Sequence, residues 1–236
     1  KTEILTILRD KKALILICSF PIVFALLYGL VLGAFGSTNK KIYLNSLSST
    51  LTTMIVFTCI NGSAGSIARS RENKLFSRLC FTNINYMVIM LGKIIYFLLI
   101  TLIQTILLDI ISIIFFDMTL LMAIQVIGMA VLFAFFSLSL GILIANITDT
   151  EDGAEHATVL ISFVFLILGA WYPISSMSGI VKKIVKVNPV YYFVDSINNI
   201  VGSNNDLAIY INIIILVGIS AVMFTLSNLT FKRGNI

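Results

Sequence analysis

Few residues in this 236-residue chain have the chemistry to act on another molecule. The single histidine, His156, stands beside Asp149, Glu151, Asp152 and Glu155 in the stretch from Asn146 to His156. Their spacing matches no calcium loop, so the stretch reads as a solvated acidic loop. His156 has no thiol or hydroxyl nucleophile nearby to serve. Cys18 and Cys59 lie in apolar runs and Cys80 in a basic stretch, with neither metal-ligand spacing nor an evident disulfide pair. No catalytic, cofactor or metal residues are assigned in this chain. What remains is Asp109, the one acid deep inside an apolar run. Thr101, Thr105, Asp109 and Ser112 share one face of a helix. A carboxylate at membrane depth costs about 2.5–3.5 kcal/mol on insertion scales, so it should face a bundle interior and be paired or protonated. Asp109 is then either a substrate- or cation-facing group or a structural hydrogen-bond partner of a neighbouring helix.

The elements that position these residues follow from composition. The chain is 58% hydrophobic and 11% charged, with mean hydropathy +1.04. So apolar a chain cannot cover itself with polar groups, and its solvent must be largely lipid. Runs of about 20 apolar residues recur, each long enough to cross a bilayer as a helix. Backbone groups in lipid must be satisfied internally, and continuous runs rather than alternation exclude a barrel. The expected fold is all-α: a polytopic membrane protein with six transmembrane helices in a single domain over residues 1–236. The net charge of +5 is spread over short loops and is no nucleic-acid signature.

Residues 1–12 form an amphipathic interfacial helix or a frayed basic terminus. They are too charged for a signal peptide, so the first apolar run would itself direct insertion. The first span, Ala13 to Gly36, contains Pro21, which should kink it, and a Gly29/Gly33 pair. The second, Tyr43 to Ala68, is rich in Ser, Thr and Gly, as suits tight packing or the lining of a pathway; Thr53, Phe57 and Asn61 are its pathway candidates. The third has its core at Ile94 to Phe116, with Lys93 placed to snorkel. Asp117 marks a tight turn into the fourth, Leu120 to Ala145. The fifth, Ala157 to Ala170, is short, and the region beyond it is broken or re-entrant. Residues 171–206 hold an interfacial helix from Ile180 to Val187 and a restart at Asn188-Pro189, with Tyr191, Tyr192 and Phe193 in an aromatic belt. The sixth span is Leu207 to Phe231.

Eleven Lys and Arg residues (1, 9, 11, 12, 69, 71, 74, 78, 93, 232 and 233) fall on one side of this arrangement and five (40, 41, 182, 183 and 186) on the other. The first side is expected to be cytoplasmic, and both termini with it. It includes the polar stretch 69–85, RSRENKLFSRLCFTNIN, in which Glu72, Leu75, Phe76 and Leu79 have helical spacing. The stretch is either a headgroup-facing loop that sets topology or a docking helix.

The order of these features resembles the permease subunits of ABC-2 type ABC exporters. Arg71-Glu72-Asn73-Lys74-Leu75 is similar to the family's Arg-Glu segment after the second span. Gly169, Tyr172, Pro173, Pro189, Tyr192 and Asp195 take the positions of the family's extracellular motif between the fifth and sixth spans. Leu168 stands where a Ser often precedes the Gly, and the usual second Pro is missing around Met177 to Gly179.

The resemblance implies a half-transporter of the bacterial plasma membrane. It would pair with a second permease copy or a homologue, bind two copies of a separate ATP-binding cassette ATPase, and export a hydrophobic or amphipathic substrate such as a drug, lipid or peptide. ATP and Mg would sit on that partner, since this chain has no GxxxxGK[ST] loop. Arg71, Glu72, Lys74, Leu75 and Arg78 would form the cytoplasmic coupling helix. The alternative is a gradient-driven carrier built on Asp109, although no internal repeat supports it. A membrane enzyme would need a catalytic set that is not evident.

Overall fold

The computed structural model describes Val23 and residues 40–73, 86–171, 179–202 and 208–230. The expected interfacial helix, the kinked first span, Cys18, Cys80, Lys74, Leu75, Arg78, Tyr172 and Pro173 lie outside the described residues. Five helices among the described residues are long and apolar enough to cross a membrane: Ser46–Glu72, Met90–Ile114, Leu120–Ile147, Glu151–Trp171 and Ile209–Leu229. They correspond to the expected second to sixth spans, and the fold is an all-α polytopic membrane protein. Two shorter helices, Gly179–Val185 and Pro189–Ile200, lie between the last two.

The second span is a continuous rod made of Lys40–Ile55, a π-helical turn Val56–Asn61 and Gly62–Glu72. It occupies the bundle centre, with Leu51, Val56, Cys59, Ile60, Ala64 and Ile67 fully buried. Its small residues allow close crossing. A Cβ placed on Gly141 of the fourth span would fall 2.6 Å from the Ile60 carbonyl, so only glycine fits there.

The third-span helix, Tyr86–Phe116, begins earlier than its apolar core suggests. Its amphipathicity is inverted for lipid. Leu91, Ile95, Leu99, Ile103, Ile106 and Ile110 are exposed, whereas Lys93, Thr101, Gln104, Thr105, Asp109 and Ser112 are buried. In hydrocarbon the polar stripe seeks the protein interior, which confirms the face read from spacing. Lys93 does not snorkel. Its Nζ donates to Ser66 O (2.9 Å), Ser66 Oγ (2.6 Å) and Ser70 Oγ (2.9 Å), binding this span to the second.

Asp117, in the left-handed region (φ 51°), makes the expected tight turn, and Thr119 caps the fourth-span helix Leu120–Ile147 by accepting from Met122 N.

The fifth span is neither short nor broken before Trp171. Glu151–Leu166 continues into a π-helical turn, Ile167–Trp171, giving 21 residues. Glu151 to Glu155 thus belong to its first turns and not to a solvated loop. Thr150 caps this helix by accepting from Gly153 N (3.1 Å), and Glu151 and Asp152 suit the positive end of the dipole.

Candidate functional site

Among the described residues, three groups of contacts hold the residues that the sequence singles out. The first runs between the second and fifth. Thr53, Phe57 and Asn61, one turn apart each, all face the fifth span. Thr53 Oγ1 accepts from Trp171 Nε1 at 3.1 Å. The Phe57 ring meets Phe163 edge-on at 6.2 Å, and Phe163 meets Trp171 in the same manner at 6.0 Å. Asn61 Oδ1 accepts from Ser162 Oγ at 3.2 Å. Ser49 Oγ donates to the Ala170 carbonyl at 2.5 Å, extending the ladder by a turn. Phe163 and Trp171 are each 42% exposed, so the ladder borders an open surface. Both rods carry a π-helical turn along this contact, a distortion frequent at functional sites.

The second group closes the basic end of the second span over the connection between the fourth and fifth. Arg69 forms an ion pair with Glu151, its Nε lying 2.6 Å from Glu151 Oε1. Arg71 Nη1 donates to the carbonyl of Thr148 at 2.9 Å. Thr148 is the C-cap of the fourth-span helix, so a cation meets the negative end of that dipole. Glu72 Oε1 accepts from the backbone N–H of Glu151 at 2.9 Å. That N–H is the first of the fifth-span helix, where an anion meets the positive end. The Arg-Glu pair therefore straddles two helix ends of opposite polarity, each residue matched in charge to the end it touches.

The third group holds the helix Pro189–Ile200. Its residues Val190, Tyr191, Phe193, Asp195, Ser196 and Ile197 are buried. Tyr191 and Phe193 are therefore not in an aromatic belt. Phe193 stacks on Phe133 of the fourth span, centroids 4.4 Å apart and planes within 10°. Asn188 caps the helix through Val190 N (3.0 Å), and its amide donates to the Phe165 carbonyl (2.9 Å) beside the π-helical turn of the fifth span. Gly169 makes the approach possible: a Cβ there would meet Val190 at 2.7 Å and Asn188 at 2.9 Å. Asp195 Oδ2 accepts from Asn212 Nδ2 of the sixth span at 2.8 Å, and Tyr192 donates to the Lys186 carbonyl at 2.6 Å. Of the described motif residues, Pro189, Tyr192 and Asp195 lie on this helix and Gly169 lies against its start, so their contacts make one clasp that fixes it.

The expected pathway residues divide. Thr53, Phe57 and Asn61 join the ladder, whereas Asp109 belongs to the third span, which meets the second through Thr58–Gln104 (3.0 Å) and Cys59–Thr101 (3.1 Å). A family model described as ABC-2 type transporter matches residues 1–201. The chain belongs to the ABC-2 type transporter family. No match is found among curated proteins. An ABC-2 permease is a multi-pass transport subunit and not itself catalytic. Permeases of this kind work with an ABC ATPase and are usually dimeric.

Sequence reasoning missed the permease's partners for these residues: Thr148 and Glu151 at the basic end, Ser162, Phe163 and Trp171 on the ladder, and Asn188 and Asn212 at the clasp. Some were signalled. Thr150 followed by two acids and Gly153 is a helix start, and Asn212 is a lone amide in an apolar run that needs a partner.

Proposed function

We propose that this chain is the membrane half of an ATP-driven exporter that moves a hydrophobic or amphipathic molecule out of a bacterial cell. Two separate ATPases, holding ATP and Mg, would dock at the basic end, which would be cytoplasmic together with both termini. A second permease copy or a homologue would complete the pathway. Lys74, Leu75 and Arg78 would meet the ATPase, while Arg71 and Glu72 pass its movement on.

The observation that carries this reading is the double attachment of the second span to the fifth. At the basic end Arg69 and Glu72 hold the first turn of the fifth span. Along the membrane the ladder from Asn61–Ser162 to Thr53–Trp171 continues the contact. A push on the end of the second span would reach the fifth through hydrogen bonds at its start and ring contacts along its length. The half-exposed Phe57, Phe163 and Trp171 would then line the pathway with apolar surface and a few polar groups, as amphipathic cargo needs.

Purification of the chain from its native membrane in mild detergent, followed by an ATP-hydrolysis assay, tests the reading. The expected result is recovery of an ATPase whose turnover responds to cargo. Recovery of the chain alone, with transport driven by an ion gradient, would overturn it.

A further inference from the structure

Asp109 is used by neither the ladder nor the basic-end contacts. It lies within the third-span helix and is 2% exposed. Neither carboxylate oxygen has a hydrogen-bond partner among the described residues. The nearby hydroxyls along its own helix have spent their protons. Thr101 donates to Phe97 O (2.9 Å), Thr105 to Thr101 O (2.8 Å) and Ser112 to Leu108 O (2.8 Å). A hydroxyl carries one proton, so each offers the interior only lone pairs.

The second span repeats the pattern. Its antiparallel register with the third, set by Cys59–Thr101 and Thr58–Gln104, brings the turn from Thr50 to Thr53 level with Asp109. Thr50 and Thr52 donate to the carbonyls of Ser46 and Ser48. These hydroxyls are turned to their own helices, the Gln104 amide oxygen accepts from Thr58, and among the described residues no donor meets either Asp109 oxygen. A buried carboxylate that receives no hydrogen bond disfavours an anion and gains nothing from a neutral hydrocarbon chain. The partner Asp109 is missing is a positively charged group bearing N–H bonds.

We infer that Asp109 recognises an organic ammonium group carried by an amphiphile. The inference deepens the export reading, on which it rests, by naming a cargo class. The ammonium supplies the N–H donors that Asp109 lacks among the described residues, and its alkyl part lies among the apolar side chains beside the stripe. The site is closed in this conformation and would open when the second and third spans part. The same ammonium chemistry is offered by a free amphiphilic amine and by an aminophospholipid headgroup.

The test is equilibrium binding of radiolabelled decylammonium to the full-length permease, without ATPase, in phosphatidylcholine nanodiscs. Decanol serves as the uncharged control. Wild type is expected to show a saturable site for the amine and none for the alcohol. Asp109→Asn should bind about tenfold or more weakly, the loss expected for a charged hydrogen bond, while Asp109→Glu keeps the site. Unchanged thermal melting of Asp109→Asn excludes misfolding as the cause. Adding phosphatidylethanolamine separates the sources: competition assigns the site to a lipid headgroup, and its absence to free cargo. Equal binding of decylammonium by wild type and a folded Asp109→Asn would overturn the inference. That outcome leaves ATPase recovery, and hence the export reading, untouched.

Discussion

Glu72 accepts a hydrogen bond from the backbone N–H of Glu151, 79 positions later, at 2.9 Å. The bond joins the last residue of the second-span helix to the first of the fifth. Beside it Arg71 holds the last carbonyl of the fourth. One dipeptide thus pins three helix ends, and its two charges match the dipoles they face.

Glu72→Ala should therefore lower coupled transport several-fold while leaving insertion intact. Loss of a capping acceptor costs about 1 kcal/mol, too little to unfold the bundle. Glu72→Gln retains an acceptor and should fall between wild type and Ala. Transport by reconstituted permease with its ATPase, measured beside thermal melting, checks the series.

The ion pair Arg69–Glu151 is different, because the Arg69 side chain is 64% exposed. Exposed pairs contribute about 0–1 kcal/mol, so Arg69→Ala should leave the melting temperature nearly unchanged. A marked drop on thermal melting would assign Arg69 more than a surface contact.

Gly141 and Gly128 stand on the same helix and should respond in opposite ways. A Cβ at Gly141 overlaps the second span, whereas at Gly128 it meets nothing within 4 Å. Gly141→Ala should cost about 1–3 kcal/mol by overpacking, and Gly128→Ala should be tolerated. Thermal melting of the two variants in one detergent compares them directly.

Asn212→Leu removes a donor from buried Asp195 and should destabilise by about 1–3 kcal/mol. The clasp around Pro189–Ile200 also depends on Gly169, so Gly169→Ala should loosen the same helix. Hydrogen exchange confined to residues 189–200, read by mass spectrometry, would show both effects.

Phe163→Ala removes the ring that touches both Phe57 and Trp171. Since Phe163 is half-exposed, stability should change little, while the range of transported cargo shifts. Cargo-competition assays on the reconstituted complex read that shift.

Much of the fold was legible because lipid demands long apolar helices, and the spacing of Thr101, Thr105, Asp109 and Ser112 placed the third span's inner face correctly. The fifth span misled because its first turns are acidic: apolarity marks where a helix meets lipid, not where hydrogen bonding begins. The cap at Thr150 was the better guide. Lys93 could not be read from sequence, since its three oxygen partners come from another helix. The same holds for Asn188, whose acceptor, the Phe165 carbonyl, is set by how two helices cross. The Arg71-Glu72 pair was visible as a motif, but its two helix-end partners emerge only once the connection at Thr148 to Glu151 is folded beneath it.

The central claim is that the end of the second span and the start of the fifth move together and carry the ATPase stroke to the ladder. Spin labels at the exposed positions Asn73 and Asp152 report that union within one chain. Pulsed-dipolar distances should stay unchanged between the ATP-free and the ATP-trapped complex, while distances between equivalent labels on the two permease copies shift. An intrachain distance that changes as much as the interchain one would contradict the account.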